Sequence, residues 1–173
     1  MVGDKPLGAD NQQERPGVAE WITGFTDGEG CFSISVVRNP GCRLGWQVQH
    51  EFSITQSIRS MDALELVRSH LGCGAIVRNQ RHDDHRTPLA RFSVKRRLDL
   101  MQVVIPFFEE HPLVTSKRFD FELFRRAMDI VDRRHHLEEV GLRAIAEITQ
   151  SMNRRSKSRY LESSEAIRRP SHR

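Results

Sequence analysis

The apolar residues of this chain change period at Gly28-Glu29-Gly30, and that change constrains the fold more than any other feature. Before it, Val18, Trp21, Ile22 and Phe25 recur at the spacing of one helix face. After it, residues 31–38 alternate, with Phe32, Ile34 and Val36 on one side and Ser33, Ser35 and Val37 on the other. A turn around Asn39-Pro40-Gly41 leads into a second alternating run, 46–56. There Trp46, Val48, Phe52 and Ile54 share one face, and Gln47, Gln49, Glu51, Ser53 and Thr55 share the other. Alternation of this kind marks antiparallel strands with one buried face. Gly28 and Gly30 are expected to close the helix, because a helix end often requires the left-handed conformation that glycine takes.

The same reading extends along the chain. Residues 60–72 predict an amphipathic helix with serine at its start and glycine at its end. Two short strands follow, over 74–80 and 90–95, joined by a polar loop. Residues 98–109 carry Leu98, Met101, Val104, Ile105 and Phe108 at helical spacing, and Pro112 breaks that segment. A further helix opens at Ser116 and runs to about 133, and 137–151 can form one more. The order is αββαββα with additional C-terminal helices, an α+β fold built on an antiparallel sheet. Residues 1–16 predict a flexible N-terminal arm, 17–152 a single domain, and 153–173 a basic, Ser/Arg-rich disordered tail.

Composition narrows the function classes. No apolar run approaches the roughly 20 residues of a membrane-spanning helix, so no membrane partner is expected. The first sixteen residues contain Asp4, Asp10 and Glu14 and no apolar stretch, unlike a secretory or transit segment. Cys31, Cys42 and Cys73 form neither a disulfide framework nor a zinc spacing, which points to an intracellular, reducing compartment. The net charge of +4 suits a polyanionic partner, and arginine is concentrated between Arg38 and Arg97. Codon usage in a GC-rich genome would produce the same arginine excess. His82 with His85, and the doublet His135-His136, have no further ligand placed beside them and read as polar loop residues.

The segment Ile22-Thr23-Gly24-Phe25-Thr26-Asp27-Gly28-Glu29-Gly30 carries the chemistry. Gly24 and Gly28 lie four apart and, with Thr23, put small residues on a helix face that another helix can approach closely. Such an approach offsets the roughly 1 kcal/mol that a mid-helix glycine costs against alanine. Asp27 and Glu29 stand at a helix carboxyl end, where the macrodipole disfavours acids. A divalent cation is the natural compensation. Taken alone, Asp27-Gly28-Glu29-Gly30 reads better as an exposed turn; joined to the small-residue face and the alternating strands, it reads as a site.

These residues together resemble the LAGLIDADG motif, with Ile22 through Gly30 on its nine positions. The resemblance takes in Phe52-Ser53-Ile54-Thr55-Gln56, Leu71-Gly72-Cys73-Gly74 and the stretch from Pro112 to Phe121. It is to the single-motif, homodimer-forming branch of the homing endonucleases. The resemblance implies a site-specific, intron-encoded nuclease whose sheet forms a DNA-binding saddle. It would hydrolyse both strands at the centre of a long pseudo-palindromic site and leave 3′ overhangs. A non-cleaving nucleic-acid binder on the same fold, such as an intron RNA-splicing maturase, is the alternative. Within that resemblance Glu29 and the carbonyl of Gly28 bind Mg2+, for which Mn2+ substitutes, while Ca2+ binds without supporting cleavage. Gln56 positions water, Lys117 is the basic catalytic residue (a basic residue can instead occupy the position of Thr115), and Asp27 is a structural cap. Trp21, Thr23, Gly24 and Gly28 form the dimer interface.

The expected partners are double-stranded DNA, a second copy of the chain and, for a maturase, intron RNA. A bacterial cytoplasm or an organelle matrix or stroma is the expected location. On the strands, Ser33, Ser35, Arg38, Gln47, Gln49, Glu51, Ser53, Val77, Asn79, Arg81, Arg91, Ser93 and Lys95 fall on or beside the polar faces and are the candidate DNA readers. Arginine and lysine suit guanine, glutamine and asparagine suit adenine, and glutamate can accept from the cytosine amino group.

Overall fold

A computed structural model describes residues 17–79, 88–152, 160 and 161. The expected arm at 1–16, Arg81, His82 and His85, and nearly all of the expected tail lie outside the described residues. Helix α1 (Val18–Glu29) runs directly into strand β1 (Gly30–Arg38), which turns back as β2 (Trp46–Ser57). Helix α2 (Met61–Leu71) then leads to the second hairpin, β3 (Ala75–Asn79) and β4 (Leu89–Val94). A continuous helical stretch follows as α3 (Arg97–Asp99), a π-helical turn (Leu100–Val104) and α4 (Ile105–Glu110). Helices α5 (Lys117–Asp132) and α6 (Glu139–Met152) complete the domain. The αββαββα order with added helices is therefore the observed one.

The four strands form one antiparallel sheet in the order β1-β2-β4-β3. Its register makes the two faces explicit. Phe32 pairs with Phe52, and Phe52 with Val94, while Ile54 pairs with Phe92 and Phe92 with Ile76. These side chains face the helices, where α5 and α6 pack on β1 and α2 covers β2, β3 and β4. Phe32 is the hub of the core, with ring centroids 4.9 Å from Phe52, 5.3 Å from Phe108 and 5.2 Å from Phe121. Each fully buried ring or branched chain contributes about 1.5–3 kcal/mol of transfer free energy. The opposite face of the sheet carries no helix among the described residues.

Three local findings correct the sequence reading. Gly30 caps α1 in an extended conformation (φ −72°, ψ 156°), and neither it nor Gly28 has positive φ. Glycine is needed at position 30 for space instead: an added Cβ would lie 2.5 Å from the Thr26 methyl and 2.8 Å from its carbonyl oxygen. Left-handed glycine does occur at the end of α2, where Gly72 has φ 66°. Second, α1 packs inward through Ile22, Thr23 and Thr26, while Trp21, Gly24, Gly28 and Glu29 are exposed. Thr23, at 8% exposure, thus lies on the covered side and donates its hydroxyl to the Ala19 carbonyl. Third, Arg38 continues the parity of Ile34 and Val36, so alternation assigns it to the helix side of the sheet, where it is exposed as the last residue of β1. No helix among the described residues is long and apolar enough to cross a membrane.

Candidate nuclease site and nucleic-acid face

The end of α1 is held by a ring of contacts with a segment almost ninety residues later. The Asp27 carboxylate accepts hydrogen bonds from the Val114 N–H (2.8 Å), the Thr115 N–H (3.2 Å) and the Thr115 hydroxyl (2.7 Å). The Thr115 hydroxyl in turn accepts from the Lys117 N–H at 3.2 Å, at the start of α5. Lys117 then reaches back, its Nζ donating to the Thr26 carbonyl at 2.9 Å. Burial works to raise the Asp27 pKa, but the bonds from Val114 and Thr115, with the Lys117 charge, outweigh it and hold the group below its ordinary value. Asp27 is the structural cap, as the motif implied. Lys117 supplies positive charge to the negative end of α1, part of the compensation that the sequence reading assigned to a divalent cation. No sequence signal pointed to Thr115 in this role, because the contact crosses from one end of the domain to the other.

Glu29 has no comparable engagement. It is exposed in the last residue of α1, and no described residue bonds its carboxylate. Gln56 approaches the same junction from the sheet. Because Gly30 pairs with Ile54, Gln56 lies two residues further along β2, about 7 Å beyond the point where α1 becomes β1. It shares the parity of Phe52 and Ile54, is partly buried, and its carboxamide has no hydrogen-bond partner among the described residues. Glu29, Gln56 and Lys117 are therefore gathered about the junction of α1 and β1 by three separate elements. Among the described residues no group of three His, Cys, Asp or Glu could hold a metal within one chain.

Beside this junction the exposed side of α1 is uncovered. An added Cβ at Gly24 or Gly28 would meet nothing within 4 Å. Trp21 is 37% exposed and stacks on Phe25, with ring centroids 4.9 Å apart. The apolar residues that the sequence placed at helical spacing thus divide: Ile22 enters the core, and Trp21 and Val18 look outward.

The open face of the sheet collects most of the candidate DNA readers. Ser33 pairs with Glu51, Ser35 with Gln49, Ser53 with Ser93, and Val77 with Arg91, all with one parity. Ser53, however, is only 2% exposed, covered by Arg91, which corrects its placement among the readers. Gln47 belongs to the same face, opposite Val37, and Lys95 follows β4 next to Glu51. Asn79 is placed in the register opposite Leu89. Thr55, exposed and paired with Arg91, was omitted from the candidates although its alternation put it on this face.

Comparison with known proteins resolves what this combination is. The family model described as LAGLIDADG endonuclease matches residues 22–128, more than half of the chain and beginning on Ile22 of the motif. The chain belongs to the LAGLIDADG endonuclease family. The Neurospora crassa protein named "Probable intron-encoded endonuclease 3" is 34% identical over 137 residues. That match takes in 79% of this chain but only 25% of the Neurospora protein, so the chain spans about a quarter of that relative. Among solved structures, the homing endonuclease I-TnaI is 39% identical, with a TM-score of 0.74 over 87% of this chain and 97% of that one. The homing endonuclease I-LtrWI, solved bound to target DNA, is 32% identical with a TM-score of 0.73, and the match covers 88% of this chain and 48% of I-LtrWI.

Proposed function

We propose that this chain is one half of a site-specific, intron-encoded double-strand DNA endonuclease, a homodimer that hydrolyses phosphodiester bonds with Mg2+. One observation carries the reading: the unengaged Glu29 carboxylate lies at the end of a helix whose glycine side is open to a second helix. Pairing two such helices would bring two Glu29 side chains together at a two-fold axis and bury Trp21, Gly24 and Gly28. The similarity to I-TnaI over nearly all of that chain, and to the DNA-bound I-LtrWI over about half of it, supports this reading.

The donor set fits a hard cation. A carboxylate and a backbone carbonyl are oxygen ligands of the kind Mg2+ takes, and helix ends leave carbonyls without intrahelical donors. Glu29 and the Gly28 carbonyl would hold it, with the remaining ligands coming from the second copy, the phosphate and water. When bound, Mg2+ supplies Lewis acidity at the scissile phosphate and acidifies water; Mn2+ is expected to substitute, and Ca2+ to bind without supporting cleavage. Of the three N–H donors on the Lys117 ammonium, one is spent on Thr26, leaving two to neutralise charge on a phosphate oxygen. The Gln56 carboxamide can orient the attacking water by hydrogen bonding. The open face of the four-stranded sheet would supply base contacts from strands lying along a major groove. Cuts on the two strands across one minor groove would leave 3′ overhangs.

The test is selection of bound DNA from a randomised library, followed by incubation of the recovered sites with Mg2+. The wild-type protein is expected to cut them. Glu29→Gln should bind the same sites and cut at least about 100-fold more slowly. A wild-type protein that binds specific sites yet cuts in neither Mg2+ nor Mn2+ would replace this reading with that of a non-cleaving binder, such as a splicing maturase.

A further inference from the structure

Among the described strand residues, the open face of the sheet contains one acid, Glu51, among its bases. Glu51 Oε2 accepts from Arg91 Nη2 at 2.8 Å, across from β4, and Glu51 Oε1 lies 3.8 Å from Lys95 Nζ. The same Arg91 nitrogen donates to the Ser53 hydroxyl at 3.0 Å. The acid is recessed: its side chain is 17% exposed, against 45% for Arg91 and 70% for Lys95. Groups arriving from outside therefore meet the guanidinium and the ammonium before they meet the carboxylate. Arg91 lies in the middle of β4, flanked by Thr55 on one neighbouring strand and Val77 on the other, so its base is fixed in the ladder. Two of its five N–H donors are spent on Glu51 and Ser53, and three remain on Nη1 and Nε.

We propose that Glu51 is a positioning residue for Arg91 and does not read a base itself. In this arrangement Glu51 and Ser53 hold the guanidinium plane still, so that Arg91 presents a fixed set of donors to the acceptor edge of a guanine. The proposal rests on the DNA-reading function above and adds specificity to it. A free arginine reaches many phosphate and base acceptors at similar cost. An arginine tied to a recessed carboxylate must break an ion pair to reach the wrong ones, and keeps that pair when it meets the right one. Exposed pairs of this kind are individually weak, which limits the expected effect to a few-fold.

The experiment compares the base preferences of wild type, Glu51→Gln, Arg91→Ala and the double variant, all full-length, by selection from a randomised DNA library in EDTA. Arg91→Ala should lose a guanine preference at one position and its symmetry mate. Glu51→Gln should weaken that same preference about three- to fivefold while leaving the other positions and the melting temperature unchanged, and Glu51→Asp should restore part of it. In the Arg91→Ala background, Glu51→Gln should change the profile no further. An unchanged profile for Glu51→Gln overturns the proposal. So does a preference that survives in Arg91→Ala and disappears in the double variant, because Glu51 would then be reading the base directly. If wild type enriches no sequence at all, the DNA-reading function fails and the proposal falls with it, an outcome distinct from the other two.

Discussion

Asp27 and Glu29 are two residues apart, carry the same group, and do opposite things. Asp27 spends its oxygens on the Val114 and Thr115 donors, and no described residue bonds the Glu29 carboxylate, which we propose binds metal. Titration should show the first of these. Asp27 has its folded-state pKa below the ordinary 3.8, so its contribution is complete above that value and is lost as pH falls through the lower folded value. His50 gives a second limb at higher pH. Its ring is partly buried, with Nδ1 unpartnered among the described residues, and burial, then His136 and Arg97, push its pKa below 6.5. The unfolded chain therefore takes up that proton first, and stability declines as pH falls below 6.5. Melting temperatures between pH 8 and pH 2 should show His50→Gln flattening the upper part of the decline and Asp27→Asn the lower part. A lower limb unchanged in Asp27→Asn would refute the cap assignment. At neutral pH, Asp27→Ala should lose about 1 kcal/mol, the usual net contribution of a side-chain hydrogen bond, since the Val114 and Thr115 donors lose their acceptor.

At the scale of the element, α1 has three kinds of side: one in the core, one tied to the segment that opens α5, and one that no described residue covers. Its glycines separate these demands. Gly30→Ala would drive a methyl into Thr26 backbone and side-chain atoms at the junction with β1, and should destabilise the folded chain by about 1–3 kcal/mol. Gly28→Ala meets open space and should leave the protomer as stable or up to about 1 kcal/mol more stable, through helix propensity alone. Its expected cost is in self-association and DNA cleavage. Denaturant melts read beside sedimentation of the same variants check the contrast. Loss of protomer stability in Gly28→Ala with dimerisation intact would contradict it.

For the molecule as a whole, one chain holds half of the proposed centre. Its described residues contain one Glu29 and no three-residue metal cluster, and they leave Trp21 exposed beside two glycines. In solution with DNA the protein should sediment at twice its 20.0 kDa chain mass plus the duplex, and Trp21→Glu should reduce it to a single chain that binds DNA weakly. A strictly monomeric wild-type complex with full cleavage activity would overturn the two-copy centre.

What the residues determined by themselves was whatever depends on local periodicity. The helix-to-strand switch at Gly28–Gly30, both hairpins, the helices after Pro112 and the division of the sheet into a core face and a polar face follow from the spacing of apolar side chains. The motif at Ile22–Gly30 was legible as well, because its glycines and acids lie within one short segment. The tertiary structure decided the matters that depend on distant partners. It turned Thr23 inward, gave Gly30 a steric role in place of a left-handed one, and tied Asp27 to Thr115 and Lys117 to Thr26. It also set Glu51 beneath Arg91, joining residues forty positions apart that the sequence could only treat as separate readers. Periodicity says which way a side chain points from its own strand or helix. Which group it meets there depends on chain returning from elsewhere, and no local pattern encodes that.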